Sequence, residues 1–273
     1  MIFNETYSLL RDRHAREIEN LVLSDVRIGL YLTAVRLSDN SVGVSSTLPA
    51  EHPFCLKENR NFDDFSPLKI RGKRVTEILE TDSKSRIVSG LKTAVLNAVS
   101  SGIISSGKYR IMENCDPVQL LDLEKKQTIT IVGAFHSYIR KISETGNRLF
   151  VLEKNKNALH PEFRNYYIEA AHYEKVVPVS DVLLITGQTL VNDTIDELLA
   201  LARPGCRIIV AGPSGGIIPD VLFEKGVAIV GGMRITRPEI VFSIIGEGGL
   251  GYHLFKYCAV KICILREDEG RAE

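Results

Sequence analysis

The pattern of apolar and polar positions divides the chain into two unlike halves. From Asn4 to Leu23, Tyr7, Leu10, Ile18 and Leu21 fall on one helical face while Arg11, Asp12, Arg13, Arg16 and Glu17 fill the other, which predicts an amphipathic helix with Asn4 as its cap. Val26, Ile28, Leu30, Leu32 and Ala34 then alternate with Arg27, Gly29, Tyr31 and Thr33, the period of a strand with one buried face. Ser38-Asp39-Asn40 reads as a turn and Ser41 to Thr47 as the returning strand, so a β-hairpin is expected. Leu48 to Ile70, with three prolines, three phenylalanines and many charges, reads as an irregular segment. A helix follows Asp82 or Ser83, with Ile87, Leu91, Ala94, Val95 and Ala98 on one face and Gly102 at its end. It is the natural cover for the hairpin.

The second half repeats one grammar. Thr128 to Val132 is a short apolar strand that stops at Gly133; a helical segment runs from about Ser137 to Glu144; Arg148 to Leu152 is a strand finishing on Glu153. Strands are also predicted at Asp181–Thr186, Arg207–Ala211, Val227–Val230 and about Cys258–Leu265. Between them, helices are expected from Asn192 or Asp193 through Ala202, over Pro219–Lys225, and from a Thr236/Glu239 capping box through Ile245. Near-continuous apolar strands joined by helices imply a mainly parallel sheet covered on both faces. The fold expected is α/β: a Rossmann-like, doubly wound, mainly parallel sheet over residues 111–266, preceded by a small α+β domain over 1–110, with 267–273 as a frayed charged tail.

Composition narrows the partners. Lys plus Arg and Asp plus Glu number 34 each, so no basic excess points to nucleic acid. No apolar run approaches the roughly 20 residues of a membrane helix, and the first twenty residues lack a signal-peptide core. Five cysteines, odd in number and without a C-x-x-C pair, fit reduced thiols and a cytoplasmic location. Glu51, His52 and Cys55 lie together, but three or four ligands are needed for zinc and a surface loop is the simpler reading.

Chemistry is expected where strands end. Gly133, Gly187, Gly212, Gly215, Gly216, Gly231 and Gly232 each follow a predicted strand, where glycine allows close backbone approach to a ligand, although βα turns need glycine in any case. A dinucleotide turn requires G-x-G-x-x-G, and Phe135 and His136 stand where NAD or FAD would need open space. A methyltransferase-like nucleoside pocket tolerates the sequence better, with Glu153 placed to hold a ribose or to be a plain surface carboxylate. Thr186, Gln188, Thr189 and Asn192 cluster at the next strand end and suit a neutral polar ligand or an anion. Gly212-Pro213-Ser214-Gly215-Gly216 resembles an anion-binding turn; as a nucleophile elbow it is poor, because of Pro213 and because only Asp220 and His253 could complete a triad. His136, Glu153, Glu247 and His253 are the titratable candidates for acid–base work or for a divalent metal.

Val132-Gly133-Ala134-Phe135, Leu152-Glu153, the run Thr186-Gly187-Gln188-Thr189-Leu190-Val191-Asn192-Asp193-Thr194, Gly212-Pro213-Ser214, Gly246-Glu247-Gly248-Gly249 and Leu96-Asn97-Ala98 together resemble a prokaryotic family labelled as heavy-metal chelatases. That family joins an enolase-N-terminal-like domain to a Rossmann-like domain. Gly215-Gly216 stand where the family would have Thr-Pro, and Ser137 where it would have proline. The resemblance implies a site between the domains that takes a small polar molecule, pterin-, flavin- or siderophore-like, in metal chelation or in its condensation or hydrolysis. Asn97, Gly133, Phe135, Thr186, Gly187, Thr189, Asn192, Gly212 and Ser214 are the expected ligand contacts, with His136, Glu153 and Glu247 as expected catalytic groups. A methyltransferase-like activity and a non-enzymatic ligand or metal carrier stay open, as do a divalent metal and a homodimer.

Overall fold

The computed structural model describes residues 1–48, 61 and 64–267. The Glu51, His52 and Cys55 group lies outside them. The chain begins with α1 (Ile2–Glu19), whose buried face is Ile2, Thr6, Tyr7, Leu10 and Ile18 and which is kinked at His14. Asn4 does not cap it; the Asp196 carboxylate reaches across from the second half and accepts from Ile2 N at 3.1 Å. Three strands follow, β1 (Leu23–Ile28), β2 (Leu32–Leu37) and β3 (Val42–Ser46), paired antiparallel in chain order. The expected two-strand hairpin is therefore a three-strand meander. The alternation runs on through residues 29–31, but there the chain turns, with Gly29 N donating to Leu32 O. Leu30 is left 72% exposed. A Cβ on Gly29 would sit 2.5 Å from Ile245 O, so the turn is seated against the second half of the protein.

After the short α2 (Val75–Leu79) comes α3 (Arg86–Ile104), which continues through Gly102 rather than stopping there. It has the length and hydropathy of a membrane span, yet two-thirds of that window is buried in protein. It packs on β2 and β3 at backbone distance: a Cβ on Gly43 would lie 2.1 Å from Ala94 O. β4 (Arg110–Glu113) then joins the second sheet as an edge strand, a role its exposed, polar pattern does not announce.

The large sheet contains β5 (Thr128–Val132), β6 (Arg148–Glu153), β7 (Tyr167–Glu169), β8 (Val182–Thr186), β9 (Arg207–Ala211), β10 (Val227–Ile235) and β11 (Ala259–Leu265) besides β4. Read from β7, the spatial order is β7-β6-β5-β8-β9-β10, all parallel, followed by β11 and β4 antiparallel. Counting from β5, the parallel part is the doubly wound order 3-2-1-4-5-6. Helices α4 (His136–Ser143), α5 (Tyr173–Val176), α6 (Gln188–Val191), α7 (Ile195–Leu201), α8 (Asp220–Glu224), α9 (Pro238–Gly246) and α10 (Gly251–Tyr257) connect or flank the strands.

Four local expectations change. Asn192 does not begin α7: it ends the short α6, and Thr194 precedes α7. The reason is Asp193, which takes the left-handed conformation (φ 57°) and so breaks the helix between them. Gly231 and Gly232 lie inside β10, not after it; Gly231 is there because a Cβ would meet Pro117 Cγ at 2.3 Å. Arg237 rather than Thr236 precedes α9, and α10 occupies a stretch with no expected helix.

Both faces of the large sheet are buried. Ile129, Ile131, Leu184 and Ile209 face a core closed by Tyr138, Ile139 and Ile142 of α4. Leu183, Ile185, Val210 and Ile262 face the other way, in one cluster with Ile2, Leu10, Leu91 and Leu96 of the first half. The second side of the small sheet is covered in turn by the second half: Leu32, Ala34, Val42 and Val44 pack with Val241, Phe242, Ile245 and Leu254. β2 is thus buried on both faces, and the two halves share their cores.

Candidate functional site

In a doubly wound sheet, ligands bind beyond the carboxyl ends of the strands where the winding reverses, because the loops there run apart and leave a crevice. Here that point lies between β5 and β8. A cleft of about 430 Å³ opens at it, floored by Val132 and Gly133 after β5, Leu152 and Glu153 at the end of β6, Glu169 of β7 and Thr186 of β8. Gln188, Thr189, Asn192 and Thr194 form one wall; Ala170, Ala171, Tyr173, Glu197 and Leu198 form the other.

Local geometry explains the floor. Gly133 turns the chain at φ 102°, a conformation that suits glycine, and a Cβ there would press on Thr186 Cγ2 at 3.1 Å. The Thr186 carbonyl accepts from Thr189 Oγ1 at 2.7 Å, and its hydroxyl receives Gln188 N at 3.3 Å. These bonds fix the strand-to-helix turn. Asn192 Oδ1 accepts from Thr194 Oγ1 at 2.7 Å, and Glu153 Oε1 accepts from Asn155 N at 3.1 Å. Tyr173 Oη donates to Glu197 Oε2 at 3.1 Å, and that carboxylate pushes the phenol pKa upward. Among the described residues that line the cleft, Glu153, Glu169 and Glu197 share it with one cation, Lys154. Its lining is rich in acceptors, suited to a ligand that brings donors.

Five expected contacts meet here: Gly133, Glu153, Thr186, Thr189 and Asn192. The others go elsewhere. Phe135 does not line the cleft: it stacks on Tyr138, centroids 5.1 Å apart, with its ring edge 3.9 Å from where a Cβ on Gly133 or Gly212 would sit. His136 starts α4 beside Arg140, His160 and Phe163 in a separate surface hollow, its Nε2 receiving His160 N at 3.3 Å. Glu247 is exposed after α9. His253 Nδ1 accepts from Leu250 N at the start of α10. His136, Glu153, Glu247 and His253 therefore form no common centre, and among the described residues no three His, Cys, Asp or Glu side chains are placed to hold a metal ion.

Gly187, Gly212 and Ser214 form a wall between this cleft and the first half of the chain. A Cβ on Gly187 would lie 2.4 Å from Gly215 N, so the two turns touch through bare backbone. Ser214 is buried, and its Oγ accepts from Ser46 N at 2.8 Å and donates to Ser46 Oγ at 3.1 Å. A nucleophile elbow would hold that hydroxyl open to substrate. Here it is spent on β3. Asn97 bridges the halves too, donating through Nδ2 to Val44 O at 2.7 Å and Pro213 O at 3.2 Å.

Sequence reasoning missed Glu169, Tyr173, Thr194 and Glu197 as cleft residues. Glu169 and Tyr173 belong to residues 154–179, a stretch of short turns and 3-10 segments without a readable period. Glu197 reads as a first-turn carboxylate of α7, which favours any helix N-terminus.

A family model described as "Putative heavy-metal chelation" (DUF364) matches residues 116–264, and a second with the same description (DUF4213) matches residues 11–100. An uncharacterised protein of Methanocaldococcus jannaschii is 23% identical over 86% of this chain and 87% of its own. A DUF364-family crystal structure of unknown function from Pyrococcus horikoshii superposes with a TM-score of 0.76 at 22% identity, covering 97% of this chain and 98% of its own. One from Desulfitobacterium hafniense gives 0.72 at 19% identity, covering 97% and 100%. At these identities the structures establish a shared fold.

Proposed function

This chain belongs to the "Putative heavy-metal chelation" family, and from that premise we propose that it binds a small, donor-rich polar molecule in the cleft between β5 and β8. Any tie to a metal then runs through that molecule. The observation that carries this reading is the lining: hydroxyls and amides of Thr186, Gln188, Thr189, Asn192 and Thr194 on one side, and three carboxylates on the others. Hydroxyl or amine groups of a ligand would pair with those acceptors, and an unpaired group on either side would cost about 1–3 kcal/mol. A bare metal ion held by protein side chains does not fit the described residues, which offer no cluster of three ligating groups.

A nucleoside-bearing cofactor is the second reading, favoured by one observation. Glu153 ends the second strand of the winding about twenty residues after Gly133, the place from which an acidic side chain accepts from a ribose hydroxyl. A diphosphate is disfavoured: counted from Gly133, Phe135 and Tyr138 stand where a dinucleotide turn has its second and third glycines.

The test is mass spectrometry with elemental analysis on full-length protein purified without chelators, beside Glu153→Gln. The expected result is a bound small molecule that Glu153→Gln loses, with any metal lost in step. A metal that stays while the molecule is washed away would sink the reading. A co-purifying nucleoside would select the second one.

A further inference from the structure

Two further hollows open among the described residues. A cleft of about 390 Å³ beside the Gly212–Gly216 turn, between α3 and the strands β10 and β11, has Asp39 and Arg234 as its charged residues. The other, a hollow of about 410 Å³, lies between α4 and the loop that follows β6. Its described lining holds Arg140 and Arg164 with His136 and His160, and no carboxylate.

These four groups come from one spacing used twice. His136-Ser137-Tyr138-Ile139-Arg140 opens α4, where positions four apart share a helical face. His160-Pro161-Glu162-Phe163-Arg164 repeats the spacing around the 3-10 turn Pro161–Tyr166. The fold sets both copies against one buried ring. The Phe163 centroid is 6.4 Å from that of His136, 6.2 Å from that of His160 and 5.9 Å from the Arg140 guanidinium carbon. His136 Nε2 accepts from His160 N at 3.3 Å, which ties the loop to α4 and keeps the imidazole proton on Nδ1.

Like charges gathered at one ring repel, and little here offsets them. Glu162 lies 3.2 Å from both Arg140 Nη2 and His160 Nδ1. Arg164 bonds to the neutral Asn157 Oδ1, at 3.3 Å. Residues 136–164 carry six Lys or Arg and three Asp or Glu, in a chain whose net charge is zero. The donors are within a ligand's reach: Arg140 and His160 are 65% and 61% exposed, and His136 and Arg164 are exposed too. Guanidinium groups meet phosphate oxygens two at a time, through charge-assisted bonds. The volume suits a small molecule rather than a bare ion, and Ala158 and Pro161 leave apolar surface beside the charges.

We propose that this hollow binds a small molecule through a phosphate monoester. Arg140 and Arg164 take the phosphate oxygens, His136 donates through Nδ1–H, His160 lines the side, and the rest of the molecule lies on Ala158 and Pro161. Glu162 holds Arg140 and His160 in place and competes with the phosphate for them. The site is separate from the cleft between β5 and β8 and does not depend on the function given above.

The test is calorimetric titration of full-length protein at low ionic strength, where exposed charges are least screened. Phenyl phosphate should bind saturably, one to one. Inorganic phosphate should bind more weakly, and benzyl alcohol, a similar body without the charge, should not bind. Replacing both arginines, Arg140→Gln with Arg164→Gln, should weaken phenyl phosphate about tenfold. Glu162→Gln should tighten it about threefold, a gain that no loss of fold produces. Arg148→Gln removes a cation of the same segment that does not line the hollow and should change little. Melting curves check that each variant is folded. No saturable binding of phenyl phosphate, inorganic phosphate binding as tightly, an equal loss in Arg148→Gln, or a Glu162→Gln protein that binds no tighter would each overturn the proposal.

Discussion

The two clefts are nearly equal in size, about 430 and 390 Å³, and differ in charge: Glu153, Glu169 and Glu197 line the first with Lys154, whereas Asp39 and Arg234 balance in the second. The one between β5 and β8 is built from strand ends and loops, and its acceptors were already polar in the sequence. The other, beside the Gly212–Gly216 turn, is lined by α3, β10 and β11 and by the polar Asp39, Asn40 and Ser41 between β2 and β3. At the strand end after β8 the polar Thr186, Gln188, Thr189 and Asn192 stand together in the sequence, whereas Glu169, Tyr173 and Glu197 are brought to the same cleft only by the fold.

That comparison can be broken most violently at Gly43. Gly43→Val would drive a side chain into Ala94 O and Ala98 N, both nearer than 2.4 Å to a Cβ. It should lift α3 from the small sheet and cost more than about 3 kcal/mol, above the usual overpacking range because backbone cannot yield. Urea denaturation measures it. If the loss is small, α3 does not rest on β3 at backbone distance.

Asn97→Ala is next. It removes both bonds that tie α3 to Val44 and Pro213, leaving two carbonyls to find new partners. A loss of about 1–3 kcal/mol is expected, with little change in what the β5–β8 cleft retains. Depletion of that cleft's ligand in a folded Asn97→Ala protein would mean that the two clefts are coupled.

Asp220 sharpens the boundary between the halves. It accepts from Arg13 at 2.8 Å and Tyr109 at 2.5 Å, with Lys108 at 3.3 Å. Burial pushes its carboxyl pKa up, but the Tyr109 hydroxyl and the Lys108 ammonium prevail and hold it below the ordinary value. A carboxyl depressed in the folded state stabilises above its unfolded pKa and loses that contribution as pH falls through the folded one. Asp220→Asn should therefore cost about 1 kcal/mol at neutral pH, discounted because Arg13 and Lys108 are half exposed. The difference from the parent should shrink as pH drops below the carboxylate range. A difference constant from pH 7 to 3 in thermal melts would rule the latch out.

Asn192→Asp should have the smallest effect on stability, under about 0.5 kcal/mol. The aspartate keeps the oxygen that accepts from Thr194, and Asn192 caps no helix start. It exchanges an amide donor for a charge in an already acidic cleft, so retention of the co-purifying molecule should fall by about tenfold. Full retention would remove Asn192 from that site.

Much of the large sheet was legible because its strands are apolar on both faces, as burial on both sides demands. β5, β6, β8 and β9 stand within a residue of their expected bounds. The errors cluster where a local pattern met a tertiary contact. Gly29 turns the chain because Ile245 leaves room for nothing larger; Gly231 stays in its strand because Pro117 packs on it; Asp193 rather than Asn192 sets where α7 begins. β4 has no apolar signature since it is an edge strand with a mostly exposed sequence.

The sequence by itself determined the order of the central strands β5, β6, β8, β9, β10 and β11, the family, and the strand ends at which Glu153, Thr186, Thr189 and Asn192 stand. Periodicity and turn chemistry are local, and a single chain carries them in full. Only the tertiary structure decided that Ser214 serves the seam between the halves, that His136 and Glu247 lie apart from Glu153, and that Asn97 faces a second cleft. Those facts depend on which elements lie side by side, and packing across residues distant in sequence settles that.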